Sequence, residues 1–504
     1  MPIRLGTLFL LLVTVSAGII ACTNGQISTG AAALPQSRHR GSATTPISHV
    51  IIVVQENRSF DNFFATFPGA NGTTTGLAIP MPSPEAQYCA DDDQQVVTKA
   101  TSIPLTQVTL LGKGFPTTPP SASSPGKSFG MNQDPPYNYP GGYLVDCNSA
   151  ASRPTASYPC QMNAFDVQHF GPNGSGAGWT CTYLYQYVNP KAIQPYWQMA
   201  KQYVLADNAF QSQGSESYTA HQDLIAAGTN IAANESAIDN PTGFPWGCDS
   251  APGSHEPYIT TQGKYVSQGP RACYPVSTGY SYDTLRDLLD QSSVSWKYYT
   301  IKINGGNAGI WDAFDAIKAV RNGNEWGTNV VWPDTKIFSD ITNGTLPAVS
   351  WITPNGSNSD HPDETHDYGP SWVTSIVNAV GKSKYWNSSA VVVLWDDFGG
   401  FYDHVPPPQY DNQGGMGFRI PILIISPYVK PHVEHTQYET ASVVRFVEDN
   451  WNLGTLGKLD QRAQGLENAF NFSMTPRPFK PIKADYSKSF FLHQPPSNVP
   501  PDTE

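Results

Sequence analysis

The chain has 504 residues, of which 14% are charged, with 29 Lys and Arg against 41 Asp and Glu and a net charge of −12. That balance argues against a broad nucleic-acid-binding surface, while a local cationic pocket for a phosphate group is compatible with it. The length can bury a large core, and 43 glycines and 44 prolines foretell many turns and long irregular segments.

The N-terminus, "MPIRLGTLFLLLVTVSAGIIAC", places Arg4 ahead of an apolar stretch, Leu8 to Val15, followed by small residues. It reads as an export signal rather than a spanning helix. Ile19-Ile20-Ala21-Cys22 resembles a bacterial lipoprotein cleavage box, which would leave Cys22 as a lipidated membrane anchor; ordinary signal cleavage is the alternative. Thr23 is compatible with an outer-membrane destination. The expected location is therefore exported: periplasmic or anchored in the outer membrane, alternatively secreted. Without Cys22, six cysteines remain: Cys89, Cys147, Cys160, Cys181, Cys248 and Cys273. An even set in an exported chain is expected to form three disulfides, with about fifteen pairings open. The alternative is buried thiols.

Residues 23–46, rich in Gly, Ser, Thr and Ala, read as a tether. "ISHVIIVVQENRSFDNFF" then supplies a central strand, Ser48 to Gln55, and a helix start after Asn57. Residues 65–160 lack regular periodicity, and "FPTTPPSASSPGKSFG" reads as loop. "PKAIQPYWQMAKQYVLADNAF", "YDTLRDLLDQSSVSWKYYTIKI" and "GPSWVTSIVNAVGKSKYWNSSAVVVLWDD" each read as a helix followed by a strand. "FRIPILIISPYV" adds a strand and "YETASVVRFVEDNW" a helix; the Pro- and Ser-rich end should fray. Strands alternating with helices predict an α/β fold, with a mostly parallel central sheet, helices on both faces and long irregular insertions.

In such a sheet, ligands gather beyond the carboxyl ends of the strands. Glu56-Asn57 and Asp396-Asp397 both follow apolar strands. Their oxygens suit a hard divalent cation, Mg, Mn or Ca, with Zn also possible. The structural alternatives are that Asn57 and Asp397 cap the following elements and that Glu56 pairs with Arg58 or Arg419. In "QSQGSESYTAHQDLIAAG", Ser217 stands near a strand-to-helix turn, where a metal could lower its hydroxyl pKa and helix amides could receive phosphate oxygens. Ser212, Ser215 and Thr219 are rivals for the same role. "GSNSDHPDETHDYGP" offers His361 and His366, with Asp360 and Asp363 close enough in sequence to hold His361 protonated. A solvated loop is the alternative. His404 could reach the same rim or shape its own loop, and His432 and His435 read first as loop support.

"HVIIVVQENRSFDNFF", "ADNAFQS", "VVVLWDDFGGFYDHVPPP" and "FRIPILIISPYV", in that order, resemble the bacterial phosphoesterase family of phosphatidylcholine-type phospholipases C and a respiratory-burst-inhibiting acid phosphatase. The resemblance runs from about residue 48 to about 450. It implies an alkaline-phosphatase-like fold and one divalent metal ion held by Glu56, Asn57, Ser217, Asp396 and Asp397. By the same resemblance Ser217 is the nucleophile, through a phosphoserine intermediate, and His361 is the site histidine. Together with the N-terminal reading, the expected bounds are a signal peptide or lipoprotein leader 1–22, a flexible tether 23–46, a phosphoesterase catalytic domain 47–460 and a C-terminal extension 461–504. Phospholipase members commonly carry Asp-Glu-His-Gly-Gly where this chain has Asp396-Asp397-Phe398-Gly399-Gly400, and Asp-Asp is the acid phosphatase form. The family histidines before "QMNAFD" and around "WKYY" are absent here. The expectation is an acid-phosphatase-like phosphomonoesterase. The alternatives are a phospholipase C acting on phosphatidylcholine-type lipids, and a noncatalytic surface lipoprotein. The expected partner is a phosphate ester, either a small molecule or a phospholipid headgroup, and not nucleic acid.

Overall fold

A computed structural model describes residues 43–79, 101–111, 135–148, 159–169, 179–274, 283–302, 309–362, 364, 366–408 and 414–495. The leader with Cys22, most of the tether, Cys89, Asp363, the "FPTTPPSASSPGKSFG" run and the chain end from 496 lie outside the described residues. Every described residue belongs to one compact unit, Ser37–Glu504.

Apolar runs that are buried on both faces build the centre. The central sheet has eight strands: β1 His49–Gln55, β2 Val204–Ala206, β3 Trp296–Tyr299, β4 Val330–Val331, β5 Val349–Ile352, β6 Ser389–Trp395, β7 Ile422–Ile425 and β8 His432–Glu434. Their spatial order is β4-β3-β5-β1-β6-β7-β2-β8. Val50 to Val54 and Ala390 to Trp395 are buried. Each such Val, Ile or Leu contributes roughly 1.5–3 kcal/mol of transfer free energy. All neighbours pair in parallel except β7, which runs antiparallel to both β6 and β2. The "FRIPILIISPYV" strand is thus the reversed one, and it enters the sheet at the end where β1 and β6 finish, with Ile422 opposite Leu394.

Helices cover both faces. Trp351 is in register with Ile52 and Trp395 with Gln55, and side chains at 52 and 55 project to opposite faces of β1. Trp351 Nε1 donates to Leu224 O of helix α3, Ser217–Ala226. Trp395 packs edge-on against Tyr196 of α2, Gln194–Gln202, at 4.9 Å between ring centroids. The helix start read after Asn57 is a short one, α1 Phe60–Phe64, capped by Ser59, whose Oγ accepts from Asn62 N. The C-terminal extension runs along the helix Gly369–Gly381: Asn378 exchanges two hydrogen bonds with Ile482, and Phe491 meets Trp372 edge-on. Two disulfides, Cys147–Cys160 and Cys248–Cys273, staple irregular segments, and Cys181 is disulfide-bonded as well. Among the described residues no helix is long and apolar enough to cross a membrane.

Arg419, just before β7, is fully buried. Its guanidinium pairs with Asp61 (3.2 Å) and Asp403 (3.1 Å) and donates to the carbonyls of Asn71 and Asp207. It ties α1, the loop after β6 and the start of β7 together, so the alternative pairing of Glu56 with Arg419 does not occur. Arg419→Met should leave two buried carboxylates uncompensated and lower unfolding free energy by about 3–5 kcal/mol. A urea titration checks this; an unchanged midpoint would refute the role given to the network.

Candidate active site

The register of two strands creates the site. Gln55 pairs with Trp395, so the next residues, Glu56 and Asp396, leave neighbouring strand ends that lie roughly 4.7–4.9 Å apart. Asp396 N donates to Gln55 O, continuing the ladder one step further. Asn57 then turns into the left-handed region, φ 59°, which asparagine tolerates better than most residues. This turn lets Asn57 N donate to Asp396 Oδ1 at 2.9 Å. Asp397 Oδ1 accepts from Gly399 N at 2.7 Å. Gly399 sits at φ 61°, and a Cβ there would lie 2.3 Å from Asn57 O, so only glycine fits between the two strand ends. The cap alternatives for Asn57 and Asp397 thereby fail: Ser59 caps α1, and Asp397 closes its own turn.

Helix α3 supplies the remaining groups. Ser217 is its first residue, and Ser217 Oγ lies 3.1 Å from Asp397 Oδ2 and 3.3 Å from Asn57 Oδ1. One turn on, on the same helix face, His221 Nε2 lies 3.1 Å from Glu56 Oε1 and 3.7 Å from Asp396 Oδ2. The site thus has two joined halves, Asn57–Ser217–Asp397 and Glu56–His221–Asp396. Glu56, Asn57, Ser217, Asp396 and Asp397 are all fully buried.

Of the rival hydroxyls, Ser212 Oγ donates to Glu439 and accepts from Ala441 N, while Ser215 Oγ bonds Asp239 and Thr219. Only Ser217 among them bonds Asn57 and Asp397. His361 is buried and its ring centroid lies 5.7 Å from that of Trp311, which also stacks on His221 at 6.5 Å. The Asp360 carboxylate does not serve His361 as the sequence suggested. It accepts from Tyr196 OH (2.6 Å) and Trp395 Nε1 (3.3 Å), and burial raises its pKa to about 7. His366 is exposed against Tyr368. His404 bonds Asp61 and Asn71, so it shapes its own loop; His432 faces Glu434 and His435 faces Asp207.

Sequence reasoning passed over His221 and Trp311. The four-residue spacing from Ser217 to His221 was a usable signal, because it places both on one face of any helix that Ser217 opens. Trp311 had no such signal.

Among the described residues, two groups of side chains could hold a metal ion: Glu56, His221 and Asp396, and Asp61, Asp403 and His404. Arg419 already supplies positive charge to the second. In the first, burial and then the Glu56 carboxylate push the Asp396 pKa well above the usual carboxylate range, with His221 opposing. Asp396 Oδ2 has no hydrogen-bond partner. A buried, crowded carboxylate with an unused oxygen is the environment a divalent cation relieves, so the residues fit such an ion.

The Phosphoesterase family model matches residues 47–454. The chain belongs to this family. Among its relatives, it is 24% identical over 461 residues to a non-hemolytic phospholipase C of Pseudomonas aeruginosa, covering 84% of this chain and 56% of that protein. It is 23% identical over 482 residues to phospholipase C A of Mycobacterium tuberculosis, covering 87% of this chain and 79% of that one. The chain therefore spans little more than half of the Pseudomonas relative. A solved alkaline phosphatase superfamily protein from Vibrio parahaemolyticus is 12% identical with a TM-score of 0.31, covering 55% of this chain and 65% of that one.

A divalent ion at about a hundred times its Kd should raise the unfolding free energy of the wild type by about 2.7 kcal/mol over chelated protein. Asp396→Asn should fold and lose most of that gain. Urea midpoints with and without chelator test this, and a full gain in the variant would remove Asp396 from the ion's ligands.

Proposed function

We propose that this protein is a metal-dependent phosphoester hydrolase with an alkaline-phosphatase-like fold, acting most readily as an acid-phosphatase-like phosphomonoesterase. The observation that carries this reading is the buried Ser217 hydroxyl, hydrogen-bonded to Asp397 and Asn57 beside the Glu56–His221–Asp396 group. Glu56, Asn57, Ser217, Asp396 and Asp397, with His221, would hold one divalent ion. When bound, the ion supplies positive charge that lowers the pKa of a nearby hydroxyl and offsets charge on phosphoryl oxygens.

Asp397 Oδ2 takes the Ser217 proton along the hydrogen bond between them. Ser217 Oγ attacks phosphorus in line, forming an O–P bond as the bond to the leaving alcohol oxygen breaks. Asn57 Nδ2, buried and without a hydrogen-bond partner, is a donor for a phosphoryl oxygen. His361, entering as the imidazolium, donates its proton to the leaving alkoxide and regains one from the water that then hydrolyses the phosphoserine, while Asp397 gives its proton back to Ser217 Oγ. The Asp396-Asp397 pair supports the phosphatase over the lipase form of the motif. The relatives' names favour the second reading, a phospholipase C. The leader 1–22, the anchor at Cys22, the catalytic span 47–460 and the extension 461–504 complete the proposal for an exported protein.

Ser217→Ala should lose roughly a thousandfold or more in kcat/KM on any ester the wild type hydrolyses, while keeping its unfolding midpoint. Monoesters, diesters and phosphatidylcholine should be compared with and without chelator. Turnover unaffected by the Ser217 change would reject the nucleophile, and turnover insensitive to chelation would reject the metal.

A further inference from the structure

A groove of about 980 Å3 runs between the helix Lys336–Asn343, the helix Gly369–Gly381 and the C-terminal extension. Four lysines converge on it: Lys382 and Lys384 from the turn before β6, and Lys483 and Lys488 from the extension. Its lining residues include no Asp or Glu, and the hydroxyls of Ser487 and Ser489 also line it. Asp485 belongs to the extension but not to the lining. All four lysines are exposed. Among the described residues none of them has a carboxylate within salt-bridge distance, whereas Lys297 is held by Asp340 at 2.6 Å. A helix C-terminus accounts for Lys382, which caps Gly369–Gly381. It does not account for Lys488, which opens the helix Lys488–His493, the end at which a cation is disfavoured. A chain of net charge −12 thus keeps a positive face.

The place of this face in the fold gives it a use. Lys382 and Lys384 stand where β6 begins, beside the point at which the chain enters the sheet. Ser48 N donates to Ser388 O at 2.9 Å. His49, first in β1, meets Tyr385 edge-on at 4.6 Å, and Lys384 Nζ lies 5.1 Å from the centre of the same ring. The tether, and with it any anchor at Cys22, is therefore joined to the fold at the lysine end. Glu56 and Asp396 leave the other ends of the same strands, about 20 Å away along β1. A bilayer whose headgroups carry anionic phosphate attracts this face and repels the rest of the chain, so charge alone orients the protein. None of the four ammonium groups is buried, as the donors of a closed pocket for free phosphate would be; spread along a groove, they suit several headgroups side by side.

We propose that this groove docks the protein on an anionic lipid surface through headgroup phosphates and leaves the catalytic end of the sheet clear of the bilayer. Docking requires neither the hydrolase reading nor the Cys22 anchor. A single lipid chain holds a protein only marginally, and a basic face is the kind of second signal that makes the hold stable. The test uses residues 23–504, which contain the whole described fold and lack the apolar leader. Cosedimentation compares vesicles of phosphatidylcholine with about 30% phosphatidylglycerol against phosphatidylcholine alone, with chelator present to suppress turnover. Binding should require phosphatidylglycerol and fall away at high salt. Each lysine near the surface is worth roughly fivefold, so Lys483→Gln with Lys488→Gln should weaken binding roughly 10- to 30-fold. Lys264→Gln with Lys318→Gln, at exposed positions elsewhere, removes the same charge and should weaken it no more than about twofold. Turnover of a soluble monoester, measured without chelator, should be unchanged when vesicles bind the wild type. No binding to phosphatidylglycerol vesicles, or equal weakening by both pairs, overturns the docking face. Inorganic phosphate binding that calorimetry detects and the Lys483–Lys488 pair of changes abolishes, without vesicle binding, overturns it in favour of a free-phosphate site. Turnover suppressed by bound vesicles overturns the orientation. Vesicle binding with no ester hydrolysed supports the docking face and overturns the hydrolase.

Discussion

The structure depends on holding three carboxylates in one dry place. Glu56, Asp396 and Asp397 leave two adjacent strands side by side, and none of them reaches solvent. Desolvation and mutual repulsion both oppose their ionised forms. Backbone amides of Asn57 and Gly399, the Ser217 hydroxyl and the His221 ring offset part of that cost. The remainder is what a bound cation would relieve. The largely apolar strands β1 and β6 supply the stability that lets the arrangement persist, because their side chains are buried along nearly their whole length.

The same end of the sheet handles a second acidic cluster differently. Asp61 and Asp403 are neutralised within the chain by Arg419, with His404 alongside. That cluster is complete as it stands and fixes the loops around the site. The Glu56–Asp396 cluster is met by the His221 imidazole, and Asp396 keeps an oxygen without a hydrogen-bond partner. One cluster builds the frame and the other is left for chemistry. The antiparallel strand β7 makes this division possible, since reversing it brings Arg419 to the functional end of the sheet.

Helix α3 joins these parts. Its first residue bonds the carboxylate rim, and its next turn brings His221 to Glu56. A single rigid element thus sets the spacing between the hydroxyl and the side chains that could hold a metal. A shift of this helix would disturb both together, which is consistent with the burial of every residue from Ser217 to Ala226.

Much of this was legible along the chain. The apolar runs before Glu56 and Asp396 were readable as strands, and their polar endings as a shared rim, because side-chain burial and strand-end placement follow from local pattern. Ser217 could be read as a helix-opening hydroxyl, but Ser212, Ser215 and Thr219 were equal to it until their partners were known. Only the tertiary structure could separate them, since Glu439, Asp239 and Asp397 reach these hydroxyls from distant parts of the chain. The same holds for Asp360, drawn to Tyr196 rather than to its neighbour His361, and for Trp311, set between His221 and His361. The sequence by itself determined which residues could be strand, helix or ligand, because periodicity and donor chemistry are local. Which oxygens meet which proton or ion was decided by strand register and helix docking, which are long-range contacts that no short stretch encodes.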